Sequence, residues 1–482
     1  MLVNVRVSLL LFSPSSALLY TSLLTRRSQS SNGTSVAIAL PTIGASLHAK
    51  AAALQWLVSA YSLSSGCLLL FCGHLADVHG RKRVFVAGSA LLAVFTLGCG
   101  FVHDEVTLAV LRGLQGIGGA ATIPAALGIL AHEFPPSSGR ARAAAFSSFS
   151  AGAPIGGALG MVFGGLVTQL SRYTWRAQFW LSAAIAFAVL VLGIIPKGPD
   201  TLPPPRDTRT DWPGAVLSAA GLILLVFVLG QGSGPDILSL LVLSIVLLCI
   251  FVLWEFHLET RNRFVASALA YAPPPLLPPS LFARRRGRLG FIYAVALLQF
   301  GAFMIWAFWV QLYYQVYIGY SPVRTVIRLV PMFVTGMICN VVVALIVGRV
   351  PTLWLIVTGT LTTTVAPLLF ALIVPSAPYW AFGFPAAVCS VVGADFLFAA
   401  GTIFVADSVA PHEQSVGGGI FQTMTQLGTS FGVTASTIVF NHVQTHWGPR
   451  PDALGSYQAA MWTGVGFGGV GTSFALSGSG FF

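Results

Sequence analysis

Charged side chains are scarce in this chain. Asp, Glu, Lys and Arg together make up 8% of it, against about a quarter of a soluble globular domain. That shortage excludes a water-soluble domain as the basic plan. The six cysteines, Cys67, Cys72, Cys99, Cys249, Cys339 and Cys389, all fall inside apolar runs. They read as small buried hydrophobes, not as disulfide partners or metal ligands. The nine histidines lie mostly at the ends of such runs without ligand-type pairing, so no metal site is expected. The two-residue alternation of a transmembrane barrel is missing. So is the phosphate-cradling pattern G-x-x-x-x-G-K-[ST], which leaves no ATP site. No constellation of nucleophile, metal or cofactor appears, so neither an enzyme nor a bound cofactor is expected.

What the chain has is hydrophobic residues, 55% of the total, in runs that repeatedly reach the roughly 20 residues needed to cross a bilayer. Apolar segments lie near 54–73, 84–102, 106–131, 143–169, 178–196, 212–231, 236–257, 289–312, 326–348, 352–374, 379–407, 416–440 and 456–476. These thirteen runs describe a polytopic α-helical membrane protein. A fourteenth span belongs before residue 46. There, residues 8–24 and 34–46 are apolar but separated by the polar stretch RRSQSSNG. The second half is too short to span alone. Residues 1–24 match the h-region length of a signal sequence but offer only Arg6 as a basic n-region. The preferred expectation is a first helix whose N-terminal half is atypical.

The net charge of +11 would suggest nucleic acid in a soluble protein. In a membrane protein, positive charge collects in cytoplasmic loops. With fourteen spans and both termini inside, the inner loops hold Arg81, Lys82, Arg83, Arg140, Arg142, Lys197, Arg206, Arg209, Arg261, Arg263, Arg284, Arg285, Arg286, Arg288 and Arg349. The outer loops hold only Lys50, Arg172, Arg176, Arg324, Arg328 and Arg450. This bias favours that orientation over its inverse and leaves no role for nucleic acid. The longest hydrophilic break, 258–288, contains APPPLLPPS and ARRRGR, a basic linker stiffened by proline.

Charge gathers at one short turn, GHLADVHGRKRVF, residues 73–85. Asp77, Arg81, Lys82 and Arg83 crowd together there, beside His74 and His79. A solvated cytoplasmic turn accounts for the three cations but not for the spacing G-x-L-A-D-x-x-G-R-K. That spacing resembles the loop between the second and third helices of the major facilitator superfamily. Gly73, Leu75, Ala76, Asp77, Gly80, Arg81 and Lys82 match it, while Val78 departs from the family's usual basic residue. The resemblance implies a gating latch: Asp77 pairs with a neighbouring helix in one conformation and releases it in the other.

Further motifs follow in the family's order. In LAVLRGLQGIGGAA, residues 108–121, Arg112 sits inside an apolar segment. Such a charge marks function by default, the plainer alternative being an arginine that snorkels to an interface. The dinucleotide pattern at 116–121 is rejected because no strand precedes it. The stretch resembles the superfamily's helix-4 motif through Arg112, Gln115 and Gly116, which implies a link to proton coupling. In GAPIGGALGMVFGG, residues 152–165, Gly152, Gly156, Gly160 and Gly164 recur every four residues. They form a smooth stripe for close helix contact, with Pro154 as a kink. Together with Gly157, this stretch resembles the helix-5 signature of proton-driven antiporters, Ala153-Pro154 standing where many members have Gly-Pro. SNGTSVAIALPTIG, residues 31–44, resembles the first-helix signature of fourteen-helix drug:proton antiporters through Thr34, Ala39, Leu40 and Pro41. The family's acidic residue falls at Asn32 and its asparagine at Ala37. Asn32 also opens an N-G-T sequon, which a membrane-embedded position keeps unglycosylated.

Asp395 lies in the middle of SVVGADFLFAAGTIFVAD, residues 390–407. Desolvation disfavours a charged carboxylate, which suits a group that loads and releases a proton. The alternative is a structural acid hydrogen-bonded to a neighbouring helix. Glu255 and Asp407 sit nearer helix ends and are expected at the interface. In FGAFMIWAFWVQLYYQ, residues 300–315, Trp306 and Gln311 are divided evenly between a substrate cavity and a lipid-facing surface. Tyr313, Tyr314 and Tyr317 are expected in an outer aromatic belt.

The resemblance covers about 34–476 and implies an all-α major facilitator fold. Its divisions are an atypical segment at 1–33, a six-helix bundle at 34–196, two extra helices at 212–257, the linker at 258–288 and a second six-helix bundle at 289–476. The implied function is proton-coupled export of small molecules by a monomer in the plasma or vacuolar membrane. Gating falls to Gly73, Asp77, Gly80, Arg81 and Lys82, and proton coupling to Arg112 and Asp395. The substrate cavity takes Asn32, Gln115, Trp306 and Gln311. GAPIGGALG and GADFLFAAG resemble a fungal branch with aminotriazole-resistance, boron-efflux and low-affinity ammonium transporters. The rival expectations are uptake or facilitated passage of a nutrient such as ammonium, and a non-transporting receptor or degenerate gene product.

Overall fold

The computed structural model describes residues 14–47, 51–135, 137, 139–195, 209–231, 235–264, 273, 275–320, 322–346, 349–410, 413–446 and 454–479. Nearly all of these are helical. In chain order the helices are α1 (Pro14–Leu47), α2 (Ala51–His79), α3 (Arg81–Cys99), α4 (Glu105–Glu133), α5 (Arg140–Leu170), α6 (Trp175–Ile194), α7 (Trp212–Gln231) and α8 (Pro235–Phe264). They continue with the short α9 (Ser280–Ala283), then α10 (Arg288–Leu312), α11 (Pro322–Ile346), α12 (Thr352–Ala371), α13 (Tyr379–Ser408), α14 (Gln414–His446) and α15 (Leu454–Ser479). Among the described residues, ten helices are long and apolar enough to cross a membrane by length and composition.

Two compact units emerge. The first comprises residues 1–223, 247–279 and 409–420, and the second 224–246, 280–408 and 421–482. In the first unit α2 packs on α4, α3 on α4 and α6, and α1 on α5 and α6. The same pairing order recurs in the second, where α11 packs on α13, α12 on α13 and α15, and α10 on α15. An internal repeat of helix hairpins is the simplest source of that recurrence.

RRSQSSNG is no interruption: α1 runs unbroken through it for 34 residues. The reason is helical spacing. Thr21, Thr25, Ser28, Gln29, Asn32 and Ser35 are all buried and fall three or four apart, so they line one face. That face is polar because it meets a polar interior. The smooth stripe of α5 also faces α1. A Cβ added at Gly156 would run into the backbone of Arg27, and one at Gly160 into that of Ser31. At Gly164 it would lie 2.8 Å from Ser35 Cα. Gly152 and Gly157 are buried on the same helix, and the side chain of Pro154 lies outside the described residues.

Helix ends are set locally. Asp104 caps α4 by accepting the Thr107 N–H at 2.7 Å, which holds its carboxyl below the usual carboxylate range. A single residue, Gly80, joins α2 to α3 at a φ of 101°, a backbone conformation that only glycine adopts cheaply. The outer surface of α8 is apolar: Leu238, Val242, Ile245, Leu253 and Phe256 are exposed, as hydrocarbon-facing residues should be. Cys249 is exposed on this same helix, so it is not the buried hydrophobe expected. Glu255 and Asp211, by contrast, are fully buried. The Leu277 N–H donates to Glu255 Oε2 at 3.1 Å, which ties the proline-rich linker to α8. The interfacial placement expected for Glu255 is thereby corrected, while Asp407 is exposed as expected.

The second unit is built around aromatic rings. Trp306, Trp309, Tyr313, Tyr314 and Phe370 form one buried cluster with Tyr457. The chain widens into a π-helical turn at Tyr313–Tyr317, closed by the Ile318 N–H on the Tyr313 carbonyl at 2.9 Å. The outer belt expected for Tyr313 and Tyr314 is therefore corrected: they are 3% and 7% exposed. The π-turn directs both rings against Phe370 from α12, where they gain more contact than lipid would offer.

Candidate functional site

The charged turn is solvated only in part. Arg81 is buried and pairs with Asp77 at 2.8 Å, a one-turn spacing that suits an ion pair on a helix. Its Nη1 donates to the Gly128 carbonyl of α4 at 2.8 Å and to Gln414 Oε1 at 3.4 Å. The Asp77 carboxylate also accepts from the first turn of α14: the Val416 N–H reaches Oδ2 at 2.9 Å and the Ser415 N–H reaches Oδ1 at 3.3 Å. A carboxylate at a helix start meets free N–H groups and the positive end of the helix dipole. Gly73 permits the close approach, since a Cβ there would lie 2.8 Å from the Ser415 carbonyl oxygen. Lys82 is half-buried and Arg83 is exposed. Sequence reasoning singled out Asp77 but missed Gly128, Gln414 and Ser415, which lie far away in the chain and match no local pattern.

A second polar centre lies inside the first unit. Arg112 is 1% exposed, so the snorkelling alternative fails. Its Nε donates to the Leu57 carbonyl at 2.9 Å, and Nη1 to Gln115 Oε1 at 2.9 Å and to Asn32 Oδ1 at 3.2 Å. Gln115 Nε2 in turn donates to Thr96 Oγ1 at 2.5 Å. The guanidinium lies over the Tyr61 ring, 4.8 Å from its centre, a cation–π arrangement. Nearby, Gln29 Nε2 donates to Thr122 Oγ1 at 2.6 Å. Arg112, Gln115 and Asn32, separated by up to 83 positions, are thus brought together. Tyr61, Gln29 and Thr96 complete the centre, and nothing in their local sequence announced them.

In the second unit Asp395 is buried, and Asn340 Nδ2 donates to its Oδ2 at 2.9 Å. An amide from α11 thus holds the mid-helix acid of α13. Trp306 is sealed in the aromatic core, edge-on to Phe370 at 6.1 Å. Gln311 turns back along α10 and donates to the Ala307 carbonyl at 3.3 Å. Both side chains are therefore committed to their own unit's packing in this conformation. An open pocket in this unit is lined by Tyr314, Tyr320, Arg328, Phe382 and Tyr379 among others. Arg328 lies over the Tyr379 ring at 4.3 Å, and the Tyr379 hydroxyl donates to the Arg328 carbonyl at 2.6 Å.

The first unit thus combines a buried network of cation and amides with a carboxylate, Asp77, that holds Arg81 and the first N–H groups of α14. Residues 28–433 match the Major Facilitator Superfamily. The low affinity ammonium transporter of Saccharomyces cerevisiae is 29% identical over 88% of this chain and 80% of its own length. The puromycin resistance protein pur8 of Streptomyces alboniger is 30% identical over 83% of this chain and 77% of its own. The efflux pump terJ of Aspergillus terreus is 28% identical over 86% and 77%. Among solved structures, the human organic anion transporter TETRAN superposes with a TM-score of 0.65 at 15% identity, covering 96% of this chain and 98% of that one. The proton:xylose symporter XylE gives the same TM-score at 12% identity, covering 96% and 95%. This chain is a membrane transporter of small molecules and belongs to the major facilitator superfamily.

Proposed function

We propose that the chain is a proton-coupled exporter working by alternating access. The observation that carries this reading is the Asp77 contact. One carboxylate holds Arg81 and the first N–H groups of α14. A charge at a helix end contributes about 0.3–2 kcal/mol, enough to bias two conformations and small enough to reverse. Export as the direction draws support from the α5 glycine stripe and from relatives named for resistance and efflux. Arg112 and Asp395 are the proposed coupling groups. Asn32, Gln115, Trp306 and Gln311 are the proposed contributors to the cavity. A plasma-membrane location with both termini inside, and a monomeric state, belong to the same proposal.

A growth screen of overexpressing and deleted strains against toxic compounds, boron and ammonium identifies the solute. Everted vesicles then show whether an imposed proton gradient drives its accumulation. Accumulation that ignores the gradient rules coupling out. The ammonium transporter among the relatives favours a second reading, facilitated passage of ammonium. Methylammonium flux that follows only its own gradient would decide for it.

A further inference from the structure

Among the described residues, the surroundings of Arg112 hold no countercharge. Each acceptor it meets is neutral: the Leu57 carbonyl, the Asn32 amide and the Gln115 amide. No carboxylate among the described residues forms an ion pair with it. Two donors are left over. Arg112 Nη2 and the Tyr61 hydroxyl are both buried, with no hydrogen-bond partner among the described residues, and they belong to side chains stacked on each other. A second cation, Arg26, lies on α1. Its guanidinium lies 5.7 Å from the centre of the Phe149 ring.

An isolated buried cation costs several kcal/mol unless it is paired. An amide at 3.2 Å supplies a hydrogen bond but no charge. An aspartate in place of Asn32 would put its carboxylate where that amide oxygen now lies and neutralise Arg112 from within. With asparagine there, no described residue supplies that charge, and a bound anion can. A guanidinium fork fits a carboxylate or a similar planar oxyanion, and the free Nη2 and tyrosine hydroxyl are the matching donors.

We propose that the transported solute is a small organic anion whose carboxylate, or a comparable oxyanion, docks on Arg112 and Tyr61 in the first unit. The inference rests on the transport reading above, but not on its direction or its coupling to protons.

Equilibrium binding without any ion gradient tests it. The full chain is placed in nanodiscs of phosphatidylcholine and titrated with benzoate, benzamide and benzylammonium, three probes of one shape and different charge. Benzoate should bind at least about tenfold tighter than benzamide, raise the unfolding temperature, and exceed benzylammonium by more. Asn32→Asp should abolish the benzoate response while raising the unfolding temperature of the ligand-free protein. Arg112→Gln, which keeps hydrogen-bonding capacity without charge, should abolish the benzoate response as well. Equal responses to the three probes, no response to any, or wild-type benzoate binding by Asn32→Asp would overturn the proposal. Nanodiscs containing phosphatidylglycerol separate a solute from a lipid phosphate. Stabilisation by that lipid, lost in Asn32→Asp while benzoate stays silent, would assign the charge to a headgroup and overturn the solute reading. Charge discrimination that survives without proton-driven flux would sink the coupling reading and leave this one standing.

Discussion

The two units share a helix-pairing order but not a chemistry. The interior of the first is polar and cationic, with Arg112, Gln115, Gln29 and Asn32 buried together and glycines allowing α5 to touch α1. The interior of the second is aromatic, with Trp306, Trp309, Tyr313, Tyr314 and Phe370 interlocked and Asp395 held by Asn340. One repeat has been specialised for charge and the other for large apolar surface. Amides and an arginine keep hydrogen bonds that can be exchanged for a ligand's, whereas interlocked rings resist rearrangement because dense packing tolerates few alternatives.

The comparison breaks most completely at the smooth stripe of α5. Gly156→Leu should strongly destabilise the first unit, because the new side chain meets backbone atoms of Arg27 that cannot step aside. Overpacking of this kind costs about 1–3 kcal/mol or more. The check is monodisperse yield on size-exclusion chromatography, where a normal profile would contradict the packing.

Asp77→Asn comes next and should spare folding while cutting flux. It removes the ion pair with Arg81 and weakens the hold on the α14 start. A charge-assisted bond contributes about 1.5–3 kcal/mol, so the latched population should fall roughly ten- to a hundredfold. Flux at matched surface abundance measures it, and unchanged flux would dismiss the latch.

Asp395→Asn sharpens the contrast between the units. If the second unit's acid handles the proton, the variant should lose gradient-driven accumulation and keep downhill exchange. Accumulation measured over a range of external pH is the test, and a wild-type profile would leave Asp395 a structural partner of Asn340.

The smallest effect belongs to the aromatic side. Tyr379→Phe removes the bond to the Arg328 carbonyl but keeps the ring beneath the guanidinium. A loss of about 1 kcal/mol in stability is expected, read as a small drop in unfolding temperature with flux unchanged.

Much of this was legible in the sequence. Long apolar runs fix helices because a bilayer core satisfies no backbone polar groups, and Gly-x-Leu-Ala-Asp-x-x-Gly-Arg-Lys singled out Asp77 and Arg81 before any contact was seen. The sequence also located Arg112 and Asp395, since charge inside an apolar run is conspicuous. It misjudged Glu255 and the tyrosines of the π-helical turn, and it could not interpret the polarity of α1, for a common reason. Hydropathy averages over a helix and carries no information about which neighbour each face meets. RRSQSSNG looks like a break when its polarity is averaged. It becomes a packed stripe once α4 and α5 cover one side.

Composition and run length by themselves determined that this is a helical membrane protein with charge concentrated at one turn, because those properties follow from transfer of side chains between water and hydrocarbon. Only the tertiary structure decided what that charge touches. The pairing of Asp77 with the α14 start spans more than 330 positions of chain, and Arg112 meets Asn32 across 80. Chain neighbours say nothing about such partners. They are set by how helices pack, and that packing left Arg112 among amides rather than acids.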